Sequence, residues 1–289
     1  MSTATQPHHR ENDFAEEHHV YEPHLVGLPP LLPYIREAWR RRAFAFELSR
    51  TKLRAQHYNT VFGQLWLVLN PLLLACVYFV LVDILRGGSS GPGFFAHLVA
   101  GIFAYHLVSD AVRQGTRSVV SGGRLILNSA FPRVLLPLGS AVSAVKRFLP
   151  TVFIYIPLHF ASGLPVGPHL LWVLPLFALL VIMASGLAMI VGALQIYFRD
   201  FKDFMPYLLR VWLFASPVLY FADDMPEKYQ FLLYVNPLGE LLAAWSDVIN
   251  LGGVPTVEQL AVSAAWAFGL LIAGFLFFVS REREFAVRL

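Results

Sequence analysis

Ionisable side chains inside apolar segments are the first candidates for chemistry in this sequence, because a charge in hydrocarbon is costly and is usually kept for a function. His106 and Asp110 are four residues apart in one such segment, so a helix would place them on the same face. They could act as an acid–base pair or a proton relay, or form a structural hydrogen bond. Such residues are scarce, which indicates that the energy for any active transport comes from outside this chain.

A second candidate group consists of Tyr207, Arg210, Phe214 and Phe221. The last three follow Tyr207 at spacings of 3, 7 and 14 residues, so all four fall near one stripe of a helix. Aromatic rings stack on the C–H faces of sugars, and an arginine can bind a phosphate through two parallel hydrogen bonds. The stripe could therefore line a path for a glycan with a charged lipid carrier. Packing against lipid tails explains the same pattern, and the sequence leaves both interpretations open.

The motifs of a P-loop nucleotide site and of a zinc hydrolase are absent from the sequence. Neither the Walker A pattern G-x-x-x-x-G-K-[ST] nor the pattern H-E-x-x-H occurs. Histidine pairs near the N-terminus lack the ordered spacing of a metal site, and the one cysteine, Cys76, lies in an apolar run. We therefore expect no catalytic, cofactor-binding or metal-binding residues, and no nucleic acid partner.

The segments that must position these groups are strongly apolar. Hydrophobic residues make up 56% of the chain and charged residues 14%, and the apolar residues form long runs. Backbone groups in a bilayer must be satisfied within each segment, so runs of about 20 residues are expected to be helices. The sequence predicts an all-α integral membrane protein, with a transmembrane domain at 61–280. Its six predicted spans lie at about Trp66–Leu85, Phe94–Val112, Phe148–Gly163 (starting as early as Leu138), Leu170–Ile196, Phe204–Phe221 and Val257–Ser280.

The positions of the 22 Lys and Arg residues set the predicted orientation. All but three lie before the first span, between the second and third, between the fourth and fifth, or after the sixth. The exceptions are Arg86 and Lys228 in the opposite loops and Arg210 within the fifth span. Because Lys and Arg accumulate in cytoplasmic loops, we expect both termini, including residues 281–289, in the cytoplasm. This orientation requires an even number of spans.

The N-terminal region divides into a tail and an amphipathic helix. Residues 1–33 are polar and His-rich, and we interpret them as a mobile cytoplasmic tail. Residues 34–60 predict a basic helix with an apolar stripe, which suits the headgroup plane of a membrane, although packing on a partner protein would also explain it. The stripe consists of Ile35, Trp39, Phe46 and Leu53, and the arginines expected to meet lipid headgroups or a pyrophosphate are Arg40, Arg41, Arg50 and Arg54.

Two loops carry predicted helices of their own. The outer loop at about 224–252 is too apolar for a solvated connection and predicts a re-entrant helical hairpin. A seventh span at this place would conflict with the charge distribution. The inner loop contains a predicted short helix at about 121–133, which would present Leu125, Ile126 and Phe131 at the cytoplasmic surface.

Four segments together carry a recognisable pattern. They are LRAQHYNTVFGQLWLVLNPLL at 53–73, NSAFPRVLLPL at 128–138, YFRDFKDFMPYLLRVWLFASPVLY at 197–220 and VNPLGELLAAWSDVI at 235–249. They resemble the permease subunits of ABC-2 type polysaccharide and polyol-phosphate exporters, the group that serves O-antigen, teichoic acid and galactan export. The resemblance covers roughly residues 35–285. The sequence departs from the family at Phe62, where leucine is usual, and in lacking an arginine near Trp245 or Ser246.

This resemblance implies a transport subunit, not an enzyme, that exports a lipid-linked polysaccharide across the cytoplasmic membrane of a bacterium. It implies a homodimer bound to two copies of a separate ABC ATPase, which uses the ATP and Mg²⁺. The inner helix would be the coupling helix that docks on the ATPase, with Gly123, Arg124, Leu125, Ile126, Asn128 and Phe131 as its residues. The first and fifth spans of both copies would line the substrate path, with the candidate residues Trp66, Tyr78, Tyr207, Arg210, Phe214 and Phe221.

Three other functions fit parts of the sequence. An ABC-2 exporter of drugs or lipids would share the architecture, but the polysaccharide-exporter motifs count against it. A membrane-embedded glycosyl- or acyltransferase could use His106 and Asp110 and would work without an ATPase partner. A passive channel would need no ATP at all.

Overall fold

Helices are the regular secondary structure in the part of the chain that the computed structural model describes, residues 29–56, 63–88 and 91–289. Most of the predicted tail, residues 1–28, and the connection at 57–62 lie outside the described residues. The α-helices within the described ranges are α1 (Leu31–Arg40), α2 (Arg42–Gln56), α3 (Trp66–Leu85), α4 (Pro92–Ser121), α5 (Gly123–Asn128), α6 (Leu135–Ala161), α7 (Val173–Tyr197), α8 (Phe201–Ala215), α9 (Phe231–Val235), α10 (Gly239–Ser246), α11 (Val257–Arg281) and α12 (Phe285–Arg288).

Five of the described helices, α3, α4, α6, α7 and α11, are long and apolar enough to cross a membrane. They coincide with five of the predicted spans, so the all-α membrane class is confirmed. The remaining predicted span contains α8, which has 15 residues and ends at Ala215. At the α-helical rise it extends about 22 Å, less than the ~30 Å of a hydrocarbon core. A sixth span therefore stays a prediction.

α4 is the central helix of the described chain. Within its apolar window 83% of the residues are buried, against 11% for α3 at the periphery. Glycine lets α4 and α7 approach closely, since a Cβ at Gly115 would lie 2.7 Å from the Cα of Ala188. α7 and α11 cross in the same way, because a Cβ at Gly274 would lie 2.3 Å from the Gly186 carbonyl oxygen. Such small-residue crossings stabilise membrane helices through close backbone packing.

The amphipathic N-terminal segment forms two helices, α1 and α2, which are separated at Arg41. Ala45 of α2 is buried, and its backbone lies close to Gly139 of α6. On the other side, the large apolar residues Ile35, Trp39 and Phe46 are exposed. The segment thus packs on the helix domain with one side and leaves an apolar stripe uncovered on the other.

A polar cluster ties α1, the start of α6 and the end of α11 together. The hydroxyl of Tyr34 donates to the Glu282 carboxylate, and the backbone N–H of Arg133 donates to the same carboxylate at 2.8 Å. The Arg133 guanidinium also donates to the Glu282 carbonyl oxygen. Burial, aided by the charge of Glu282, raises the pKa of Tyr34, so its hydroxyl stays protonated and remains a donor. These bonds make the three segments one unit.

The outer loop predicted as a hairpin contains the two short helices α9 and α10, which are joined by a turn at Asn236. The Asn236 side-chain oxygen accepts from the Trp212 indole N–H at 2.7 Å, and its amide donates to the Ala215 carbonyl oxygen at 3.0 Å. The turn is therefore fixed to the end of α8. Every residue of α10 is buried. The insertion of this loop into a bilayer stays a prediction.

Candidate functional site

An exposed aromatic face lies on α3 and α8. The rings of Tyr78 and Phe214 meet edge to face with centroids 5.7 Å apart, which links the two helices. Tyr207, with 67% of its surface exposed, and the exposed Arg210 lie on the same side of α8 as Phe214. The structure therefore brings these four predicted path residues to one surface.

Phe221 does not belong to that face. α8 ends at Ala215, and Ser216 has the extended backbone that is typical of a residue before proline. The Phe221 ring instead lies against His97, with centroids 4.1 Å apart. The stripe predicted from a continuous helical spacing was wrong beyond Phe214, because Pro217 ends the helix.

A polar cavity of about 150 Å³ lies among α3, α4 and α6. Each helix contributes lining residues three or four positions apart, so one face of each helix converges on it. The apolar walls include Phe103 of α4 and Phe148 of α6. The polar and aromatic lining residues that matter for its chemistry are Trp66, Asn70, His106, Asp110, Arg113 and Arg147.

The lining of this cavity carries more positive than negative side chains. Asp110 of α4 forms an ion pair with Arg147 of α6, with 3.7 Å between Oδ2 and Nη1 and side chains 20% and 18% exposed. His106 lines the same cavity as Asp110, but the ion pair of Asp110 is formed with Arg147. Arg113 adds a second guanidinium. The lining thus holds two arginines and one carboxylate, an arrangement that attracts anions.

The sequence does not single out Arg147 because it counts this residue among the charges of an inner loop. α6 begins at Leu135, so Arg147 lies well inside a membrane helix. The helical spacing of Ala144, Arg147, Phe148 and Thr151, which all line the cavity, is the signal that could have identified it.

A second polar cluster, called here the outer cluster, consists of His97, Ser246 and Asn250. His97 of α4 is 1% exposed, and its Nδ1 lies 2.8 Å from the Ser246 hydroxyl oxygen. The Asn250 amide donates to the Ser246 carbonyl oxygen at 3.2 Å and approaches His97 Nδ1 at 3.4 Å. These contacts join α4 to α10 and to the π-helical turn Asp247–Leu251. No motif or spacing in the sequence singled out His97.

The predicted coupling helix corresponds to α5, which presents only some of its residues outward. Ile126 is 5% exposed and packs in a cluster with Phe285 of α12, and the Phe131 ring lies 5.0 Å from that of Phe44. Gly123 is half-buried. The outward side consists of Arg124, Leu125, Leu127 and Asn128.

Three of the arginines predicted to meet headgroups are exposed, and each has a nearby carboxylate. Arg40 and Arg41 both pair with Glu37, and Arg50 lies 3.8 Å from Glu47. Arg41 also donates to the Ala130 carbonyl oxygen at 2.6 Å, so it fastens α1 to the segment after α5. The side chain of Arg54, the fourth, lies outside the described residues.

The sequence of this chain is similar to those of known transport proteins. The ABC-2 type transporter family matches residues 46–244, from α2 into α10. The chain is 26% identical over 240 residues to the O-antigen export system permease protein RfbA of Klebsiella pneumoniae, covering 83% of this chain and 92% of that protein. A protein of the same description from Myxococcus xanthus is 27% identical over 262 residues, covering 89% and 99%. The matched region includes the aromatic face, the polar cavity and α5.

Proposed function

Since the chain belongs to the ABC-2 type transporter family, we propose that it is the permease subunit of a polysaccharide exporter. Its cargo is a lipid-linked glycan of the cell envelope, and it acts in the cytoplasmic membrane of a bacterium. A separate ATPase subunit hydrolyses ATP with Mg²⁺. The observation that carries the proposal is the similarity to O-antigen export permeases over 83% to 89% of this chain.

We propose six spans with both termini in the cytoplasm. α8 is the fifth span and reaches the outer surface together with the hairpin formed by α9 and α10, which its end contacts through Asn236. The charges support this orientation. A groove lined by Arg117, Arg199, Lys202 and Arg288 lies at one end of the helix domain, where basic residues belong if that end is cytoplasmic.

The proposed docking surface for the ATPase is narrower than the sequence suggests. Leu125 and Leu127 lie on the exposed side of α5 beside Arg124, while Ile126 packs inward and Phe131, in the segment after α5, contacts Phe44 of α2. A push on α5 would therefore reach α12 through the apolar cluster of Ile126, and α2 through Phe131 in the segment that follows α5. This linkage supports α5 as the element that passes ATPase motion to the membrane domain.

A second copy of the chain would complete the substrate path. α3 is the least buried of the five long apolar helices, and Tyr207, Arg210 and Phe214 remain exposed on α8. A charged arginine is costly against lipid tails but suits a phosphate, and the neighbouring aromatic rings can stack on sugars. In the proposed mechanism the ATPase subunits close on ATP and move α5. The two copies of the chain then part along α3 and α8, and the glycan passes between them.

The experiment that tests this function is reconstitution of the chain with its ATPase in proteoliposomes. Export requires ATP-dependent movement of a lipid-linked glycan and stimulation of ATP hydrolysis by that glycan. The variants Tyr207→Ala and Arg210→Ala should slow transport, because each removes a group from the proposed path. Tyr229→Ala is the matched control, since Tyr229 is also exposed but lies outside α8.

Each outcome discriminates between functions. Movement of plain phospholipids or drugs in preference to glycan would favour the other kind of ABC-2 exporter. Glycan movement without ATP would indicate a channel. Unchanged glycan transport in both path variants would refute the lining proposal while leaving the export function intact.

A further inference from the structure

The polar cavity among α3, α4 and α6 has no role in the path described above. Trp66 is its one lining residue that also belongs to the predicted path. Asp110 and Arg147 are both mostly buried, on helices long and apolar enough to span a membrane. Buried charges are expensive there and are usually retained for binding or transport.

The charge of the cavity is not balanced by its own residues. Asp110 faces Arg147 at 3.7 Å, and Arg113 lines the same space. Two guanidinium groups and one carboxylate leave an excess of at least one positive charge, whichever protonation state His106 has. Guanidinium groups bind phosphate oxygens through paired, charge-assisted hydrogen bonds, and an imidazole N–H can donate one more.

The cavity also has suitable size and access. Its volume of about 150 Å³ exceeds the roughly 10–15 Å³ that one water needs, so it has room for a group of several heavy atoms. Arg113 and Asn70 are exposed at its edge. Pro71, beside Asn70, has no N–H to donate to the Leu67 carbonyl, which weakens α3 where it forms the cavity wall. α3 can therefore bend at this point.

We propose that this cavity is a binding site for a phosphate group, held by Arg113 and Arg147. Asp110 is a positioning residue that holds the Arg147 guanidinium, and His106 supplies a further hydrogen bond. The two sources of such a group are a lipid-borne phosphate ester and a free phosphate anion. If the proposed function holds, the lipid-borne ester is the group that joins the exported glycan to its carrier.

The test is equilibrium binding to the full chain in nanodiscs of phosphatidylcholine. The probe is radiolabelled farnesyl diphosphate, and the competitors are inorganic pyrophosphate, inorganic phosphate and uncharged farnesol. Arg113→Gln and Arg147→Gln should each weaken binding about tenfold or more, the loss expected for a hydrogen bond to a charged group. Lys146→Gln is the matched control, because Lys146 adjoins Arg147 but its amine contacts the Phe46 carbonyl oxygen at 3.1 Å.

A second variant guards against misfolding. Arg147→Gln leaves Asp110 without its ion-pair partner, whereas the double variant Asp110→Asn with Arg147→Gln keeps the excess charge of the cavity unchanged. The double variant should fold and still bind about tenfold more weakly, since the remaining arginine cannot reproduce the two-guanidinium geometry. Wild-type affinity in the folded double variant would overturn the site.

The competitors decide the source of the phosphate. Displacement that needs the prenyl chain supports the site and assigns a lipid-borne ester, while equal displacement by inorganic pyrophosphate supports it and assigns the free anion. Displacement by farnesol as strong as by the diphosphate, or equal binding in all variants, would overturn it. Binding is measured without the ATPase and without export. A loss of binding therefore does not refute the export function, and a failure of export does not refute the phosphate site.

Discussion

Two histidines on α4 lie in contrasting surroundings. His97 belongs to the outer cluster, where Ser246 and Asn250 surround it and the ring of Phe221 stacks on it at 4.1 Å. His106 lies further along the same helix and lines a cavity that reaches the surface. Both are ionisable residues of the same predicted span, and His106 is the one that lines a cavity.

The difference separates a structural polar group from a candidate binding group. At the outer cluster, Ser246 and Asn250 approach Nδ1 of the imidazole, Phe221 covers the ring and the residue is 1% exposed, so the imidazole is closed to solvent. In the cavity, guanidinium groups outnumber carboxylates and a volume of about 150 Å³ remains. The proposed site thus differs from the outer cluster by its surplus charge beside open space, not by residue type alone.

The largest effect is expected at Gly115, which lies on α4, the helix that carries both histidines. Gly115 holds α4 against α7, and the Cβ of an alanine there would lie 2.7 Å from the Ala188 Cα. Because backbone meets backbone, the helices must separate, and Gly115→Ala should cost about 3 kcal/mol of stability. Thermal unfolding in detergent measures this. Gly269→Ala is the matched control, since a Cβ there meets no atom within 4 Å; equal midpoints for the two variants would refute the close crossing.

Replacing each histidine in turn tests the contrast directly. His97→Leu leaves the Ser246 hydroxyl and the Asn250 amide without the imidazole, and should cost about 2–3 kcal/mol. His106→Leu should cost less than about 1 kcal/mol, because water can reach its neighbours. The same variants, assayed for farnesyl diphosphate binding per folded molecule, should show the reverse order. Similar stability losses for both would erase the distinction between the two regions.

The ion pair of the cavity gives a smaller effect. Arg147→Gln should lower stability by about 1–2 kcal/mol, because it strands a mostly buried carboxylate at Asp110. Adding Asp110→Asn should restore most of that loss, a coupling that a double-mutant cycle measures by chemical or thermal unfolding. Additive losses would mean that the two side chains do not interact, contrary to their 3.7 Å separation.

The smallest effect is expected at Ser246. Its hydroxyl contacts His97 Nδ1 at 2.8 Å, and Ser246→Ala should cost about 1 kcal/mol, the net contribution of one hydrogen bond. Thermal unfolding is again the measurement, and ligand binding per folded molecule should not change. A reduced affinity at full stability would show that the outer cluster takes part in binding.

Much of this fold follows from the sequence. Long apolar runs predict helices because only helices satisfy the backbone in hydrocarbon, and the first span, Trp66–Leu85, matches α3 at both ends. Helix ends were harder where charges lie inside a helix. The charges at Lys146 and Arg147 suggested a loop, although α6 extends through them from Leu135.

The candidate site was harder to predict from the sequence than the fold. Spacing along one helix placed Tyr207, Arg210 and Phe214 together, and it placed His106 with Asp110. Contacts between helices had no such signal. The sequence could not show that Arg147 meets Asp110, or that Ile126 and Phe285 share one apolar cluster, because both depend on how separate helices pack.

The most direct test of the account is the rate of ATP-dependent glycan transport per folded molecule, in proteoliposomes that contain the chain and its ATPase. Arg113→Gln should lower this rate about tenfold, the loss of one charged hydrogen bond, with an unchanged folded fraction. Ser246→Ala should lower the thermal unfolding midpoint and leave the rate per folded molecule at the wild-type value. Wild-type transport by Arg113→Gln, or an equal loss of rate in both variants, would contradict the assignment of binding to the polar cavity and of stability to the outer cluster.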